Sequence, residues 1–317
     1  MTDSIVPSVQ RQFRQGMSML VDPAAAANWR EALQLVDNAA AAGLAEAIER
    51  RALFECMGVA RRRDWSKALD SLAEAAEGGS EAAARQLLVL AGERLDVKLP
   101  DCNWATLRSC ISLTERLKAP PARDISSSPL IRTIEGFASA AECEWLISAA
   151  NPHLERAVIY STETGVAGED PGRTNRFALF DFMRLDVVVE MIRARIAGAI
   201  GAPLPCLEVS QVLRYDVGEE FAPHCDFLDA RSMAIEIAQR GQRAVTVLIY
   251  LNEDFEGGAT SFPELGLEHR GKPGDALLFS NVDPGGRPDP RTRHAGRPPS
   301  RGEKWLFSQW VRDRMPA

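Results

Sequence analysis

Only four histidines occur in the 317 residues, and one of them sits in "FAPHCDFLD", residues 221–229, with an aspartate two positions further on. An imidazole nitrogen and a carboxylate oxygen both ligate divalent cations well. On a strand, positions i and i+2 project from one face, so His224 and Asp226 should aim at one point while Cys225 aims away. An isolated H-x-D pair is weak, because core histidines and solvated aspartates are common. Downstream, "RTRHAGRPPSRGEKWLFSQW" adds a third donor, His294, and then Lys304 beyond a turn-forming "GRPPSRG". That turn is expected to fold the segment back, bringing Lys304 onto a strand next to the one carrying His294. Counting by twos from Lys304 puts Leu306, Ser308 and Trp310 on its face and Trp305 on the other. Two histidines, an aspartate and a lysine in one interior are expensive without partners, so a cation and an anionic ligand are the economical occupants. Two imidazoles and one carboxylate on one face leave half an octahedron open, which suits non-haem Fe(II) and oxygen chemistry, although zinc can use the same donors. Against a hydrolytic zinc site stands the lysine, which has no work there unless a carboxylate co-substrate must be held.

The elements that must carry these residues are short β-branched and aromatic runs. From Glu208 onward "EVSQVLRYDV", "RAVTVLIYLN", "DALLFSNV" and "KWLFSQWVRD" are bounded by Gly, Pro, Asn and Asp, which predicts an antiparallel barrel or jelly roll. Two helices should support it, a capped one in "SAAECEWLISAA" and an amphipathic one in "DVVVEMIRARIAGAIG". The fold class expected is α+β.

The N-terminal part reads differently. "NWREALQLVDNAAAAGLAEA" matches "DWSKALDSLAEAAEGGSEAA", pairing Trp29 with Trp65, Leu33 with Leu69, Gly43 with Gly79 and four alanines with alanines, at a fixed offset of 36 residues. A constant period is the mark of stacked helical hairpins, each burying its apolar face against a neighbour. The stretch from about residue 28 to 92 resembles Sel1-like, tetratricopeptide-type repeats, with a degraded third copy expected from Trp104. Residues 118–128, rich in proline, serine and charge, are expected to link a helical region over 1–117 to a second domain over 129–317.

Bulk properties narrow the function further. A net charge of −7 gives no electrostatic footprint for nucleic acid or an anionic membrane. No apolar run approaches a membrane span and the N-terminus lacks a secretory pattern, so a cytoplasmic protein is expected. Six cysteines without CxxC spacing indicate neither a disulfide framework nor a cysteine zinc site.

Taken together, "QVLRYDVGEEFAPHCD", "RAVTVLIYLNEDFEGGATSFPE", "KPGDALLFSN" and "DPRTRHAGRPPSRGEKWLFSQWVR" resemble the consecutive motifs of the prolyl 4-hydroxylase-like Fe(II)/2-oxoglutarate dioxygenases. The resemblance runs from about residue 128 to 314 and includes "GFASAAECEWLI" and "GRTN" in their usual order. It implies a double-stranded β-helix in which His224, Asp226 and His294 are the catalytic iron ligands and Lys304 meets the distal carboxylate of 2-oxoglutarate. Tyr215 and Tyr250 occupy positions that contact the co-substrate in family members, and Trp310 a position near the substrate cleft. Arg173 opens an "RTN" that stands where the family often has Arg-Thr-Ser, and "RPPS" replaces the more usual leucine-proline-valine; both departures bear on the substrate rim.

The cofactors so implied are Fe(II), 2-oxoglutarate and dioxygen, with ascorbate as reductant. Iron, one aspartate and dianionic 2-oxoglutarate sum to a single negative charge, which the lysine neutralises. The expected reaction is hydroxylation of a C–H bond, foremost a prolyl residue in a protein or peptide, with residues 160–175 a candidate lid. The alternatives are hydroxylation of a free amino acid or small metabolite, and a non-catalytic binding or sensing protein with a vestigial oxygenase domain. The repeats offer a surface for substrate, for a partner protein or for self-association.

Overall fold

In the computed structural model, residues 5–94, 103–156, 158–160, 167–169 and 172–315 are described. The chain forms two compact units, one of Met1–Leu117 with Phe182–Ile192 and one of Lys118–Asp181 with Arg193–Ala317.

The first unit is helical. After α1 (Ile5–Val21), the helices α2 (Trp29–Ala41), α3 (Ala45–Met57), α4 (Trp65–Glu77) and α5 (Glu81–Ala91) follow as two hairpins. Helices α2 and α4 begin 36 residues apart, and so do α3 and α5. The alanines and leucines matched at this offset are buried in both copies, while Trp29 remains 39% exposed, so the period records packing. Gly43 and Gly79, at equivalent hairpin turns, have φ of 85° and 92°, a region where a Cβ is strained. Where a third copy is expected, the described residues hold only the short α6 (Trp104–Ser109) and α7 (Leu113–Leu117). Residues 182–192 complete this unit: Phe182 stacks on Phe54, Arg50 donates to the Phe182 and Met183 carbonyls, and Gln86 accepts from the Val187 amide.

The second unit is built on antiparallel sheets. Its first hairpin, β1 (Arg123–Ser127) and β2 (Leu130–Ile134), leads to α8 (Ala140–Ala150). Ser139 caps α8, and Glu142 returns its carboxylate to the Ser139 amide in a capping box. Next come β3 (Glu155–Arg156), β4 (Val158–Tyr160), β5 (Ala167–Glu169) and β6 (Arg176–Phe180). Helix α9 (Val187–Ile200) then crosses the division between the units. The remaining elements are β7 (Ser210–Tyr215), β8 (Phe221–His224), α10 (Ala234–Arg240), β9 (Arg243–Tyr250), β10 (Phe255–Gly257) and β11 (Thr260–Phe262). They end with β12 (Leu267–His269), β13 (Ala276–Ser280), β14 (His294–Gly296), β15 (Pro299–Gly302) and β16 (Lys304–Arg312).

The large sheet runs β1-β2-β13-β9-β16-β7-β6-β3 and the smaller one β12-β11-β14-β8. Their inner faces share a core of Leu213, Leu248, Tyr250, Phe262, Phe279 and Leu306, the two-layer arrangement expected of a jelly roll.

Three expectations are corrected. Part of the stretch read as linker is strand: β1 pairs with β2 at the edge of the large sheet. Residues 182–192 belong with the N-terminal helices rather than with the sheet domain. Finally, Lys304 and His294 do not lie on adjacent strands. β14 pairs with β8 and β11, whereas β16 lies between β7 and β9. The intervening residues form β15, which pairs with β10 in a separate ribbon, so the chain changes sheet there instead of folding back. Among the described residues no helix is long and apolar enough to cross a membrane.

Candidate active site

β8 and β14 are antiparallel neighbours, and the register sets His224 directly opposite His294. Directly opposed side chains share a face, so two histidines 70 positions apart meet with ring centroids 4.4 Å apart. Asp226 lies past the end of β8 rather than on it, yet its carboxylate reaches the same point. Its Oδ1 is 3.5 Å from His224 Nε2 and its Oδ2 is 3.4 Å from His294 Nε2. One donor atom from each of the three residues lies within 4.8 Å of the others.

Both imidazoles are oriented by their other nitrogen. His224 donates Nδ1–H to the Ala222 carbonyl at 2.8 Å and His294 donates to the Thr292 carbonyl at 3.1 Å. A carbonyl can only accept, so the Nε2 lone pairs are left facing the shared centre. Phe221 stacks on the His224 ring at 3.5 Å and limits its swing. Burial pushes His294 down to about 4, against the pull of Asp226, so the ring is neutral near pH 7. Burial alone would raise the Asp226 carboxyl, and the Thr246 hydroxyl that donates to it favours the ionised form. The centre therefore offers two imidazole nitrogens and one carboxylate oxygen, a donor set that fits a divalent cation.

A cleft opens between the two sheets beside this centre. Leu213, Leu248 and Leu306 line it from the large sheet, and Phe221, Thr260 and Gly296 from the small one. Tyr215, Ser308 and Trp310 also face it, in accord with counting by twos along β16. Arg243 stacks over the half-buried Trp310 ring at 3.6 Å and is itself held by Glu208. Arg173 lies over Phe221 and Phe177 and donates to Gln211 at 3.3 Å, which places it at the edge of the cleft.

Lys304 pairs in register with Tyr215 and is fully buried. Its Nζ lies 4.8 Å from the Tyr215 ring centre and 6.0 Å from that of Tyr250, with no hydrogen-bond partner among the described residues. Burial, with Arg270 nearby, pushes its ammonium down to about 7. A buried cation held only by ring faces fits an anionic ligand. Tyr250 does not line the cleft: its hydroxyl donates to the His269 carbonyl at 3.0 Å and meets Thr260 Oγ1 at 2.8 Å.

Two polar residues at the centre escaped the sequence reading, Thr246 and Asn281. Thr246 has the same strand parity as Leu248 and Tyr250, so a small polar side chain among large ones on the inner face was the available signal. Half of residues 160–175, the candidate lid, lies outside the described residues.

Residues 210–312 match the 2OG-Fe(II) oxygenase superfamily, which fixes the class of protein as a 2-oxoglutarate-dependent dioxygenase. The chain is 33% identical over 207 residues to probable prolyl 4-hydroxylase 3 of Arabidopsis thaliana, covering 59% of this chain and 70% of that protein. It is 32% identical over 204 residues to prolyl 4-hydroxylase 1 of the same organism, covering 60% and 71%. Among solved structures, the viral collagen prolyl hydroxylase of Paramecium Bursaria Chlorella virus-1, in its 2OG complex, aligns at 26% identity with a TM-score of 0.41, covering 57% of this chain and 94% of that one. The chain belongs to the prolyl 4-hydroxylase family. Membership in this oxygenase superfamily implies Fe(II), 2-oxoglutarate and dioxygen, and the His-Asp-His centre is a donor set that fits the first.

Proposed function

We propose that this dioxygenase hydroxylates prolyl residues in a protein or peptide. The observation that carries the reading is the pairing, within one unit, of the convergent His224, Asp226 and His294 donors with the fully buried, unpartnered Lys304 ammonium. In this reading the three donors hold Fe(II), and Lys304 binds the distal carboxylate of 2-oxoglutarate with Tyr215 beside it. When bound, the metal and keto acid supply an oxidative decarboxylation that sends one oxygen atom of dioxygen to succinate and the other to a substrate C–H carbon. Tyr250 lies beside Lys304, its ring centre 6.0 Å from Nζ and its own hydroxyl engaged elsewhere. The leucines of the cleft keep water from the reacting centre. Trp310 offers a flat apolar face on which a pyrrolidine ring can pack, and Arg173, lying over Phe221, shapes the rim.

Ascorbate serves as reductant in this proposal, and the paired helices are Sel1-type repeats that present the substrate, engage a partner protein or self-associate. The support for repeats is the 36-residue recurrence of helix starts and buried alanines.

The test is incubation with Fe(II), 2-oxoglutarate, ascorbate and a proline-rich peptide. Succinate release that depends on the peptide, with one oxygen atom gained on a prolyl residue by mass spectrometry, is expected. Succinate release driven by a free amino acid and unaffected by peptide would overturn the substrate class. Failure to bind 2-oxoglutarate anaerobically in the presence of Fe(II) would overturn the enzymatic reading.

A further inference from the structure

The Asp226 carboxylate accepts a hydrogen bond from Thr246 Oγ1 at 2.7 Å, and that hydroxyl lies 2.9 Å from Asn281 Nδ2. All three side chains are 5% exposed or less. Thr246 sits on β9 and Asn281 follows β13, strands paired in register at Phe279 and Thr246. Asn281 is fixed at both backbone ends, its amide donating to the Ala244 carbonyl and its carbonyl accepting from the Asp289 amide.

The chemistry of the three groups permits one direction only. An ionised carboxylate can only accept, so the single Thr246 proton goes to Asp226. The hydroxyl must then receive its second bond from a donor, and the Asn281 amide supplies one. We propose that Thr246 and Asn281 are positioning residues for the metal centre, a one-way relay that locks the Asp226 rotamer and occupies Oδ2, so that the carboxylate presents Oδ1 to the cation. This rests on the reading of His224, Asp226 and His294 as a metal site. A carboxylate held to one oxygen leaves more of the coordination sphere for small ligands than one free to chelate through both.

The probe is Fe(II) alone, titrated anaerobically into the full-length protein by calorimetry, alongside melting of the metal-free variants. Thr246→Val keeps the shape and removes the donor, and is expected to weaken Fe(II) about 10- to 100-fold while the metal-free protein stays folded. Thr246→Ser restores the hydroxyl and is expected to bind near the level of the unaltered protein. Asn281→Asp replaces the donor with an acceptor and should lose affinity as Thr246→Val does. The relay is overturned if Thr246→Val binds Fe(II) as tightly as the unaltered protein, or if Thr246→Ser is as weak as Thr246→Val. Should Thr246→Val not fold, Asn281→Asp decides, with unchanged affinity overturning the relay and weakened affinity supporting it. Absence of Fe(II) binding by the unaltered protein would overturn the metal-site reading itself, and the relay with it.

Discussion

Among the described residues the Lys304 ammonium has no hydrogen-bond acceptor and is buried against two tyrosine rings, a placement that costs stability unless an anion is bound beside it. Replacing it with an apolar side chain of similar length separates the two effects. Lys304→Met is expected to raise the stability of the ligand-free protein by about 1–3 kcal/mol in urea unfolding. The same change should weaken 2-oxoglutarate on the order of 100-fold, the usual scale for losing one partner of a buried charge pair. Protonation gives a second check. With the free lysine pushed down to about 7 and an ordinary value of 10.5, the unfolded chain holds a proton that the folded one releases between these values. Stability therefore rises with pH across that window. A bound carboxylate raises the folded value again, so binding of 2-oxoglutarate at pH 8 should take up close to one proton. Calorimetry in buffers of different ionisation enthalpy reads this directly, and heats independent of buffer would contradict it.

At the level of elements, the centre exists because β8 and β14 are paired with His224 opposite His294; a one-residue slip would turn one imidazole to the other face. The helical hairpins depend on a different device, the left-handed turn at Gly43 and at Gly79, where a Cβ would meet nothing within 4 Å and only the backbone objects. Gly43→Ala and Gly79→Ala should each destabilise by about 1–2 kcal/mol, measured by thermal unfolding, with Fe(II) and 2-oxoglutarate affinities unchanged in the folded protein. A loss of metal affinity in either variant would show that the repeats bear on the site.

For the whole molecule, the informative feature is that Phe182–Ile192 is part of the helical unit although it lies between strands of the other in sequence. A chain begun at residue 118 retains this segment without Phe54, Arg50 and Gln86, to which Phe182, Met183 and Val187 are joined. Such a truncation is expected to expose apolar surface, bind a hydrophobic dye and melt below the full-length protein. Melting at the full-length temperature would argue that the segment repacks on its own.

Local chemistry is legible in the residues alone: strands where β-branched runs lie between turn residues, a capped helix at Ser139, hairpins repeating every 36 residues, and the donor types His224, Asp226, His294 and Lys304. These follow from period and propensity, which act over a few neighbouring residues. Strand partners are chosen by long-range packing and emerge once the chain is folded. It put β16 beside β7 and β9 rather than beside β14, brought Thr246 and Asn281 behind Asp226, engaged the Tyr250 hydroxyl with His269, and gave residues 182–192 to the helices. Each of these depends on which apolar faces meet, and that is a property of the folded chain as a whole.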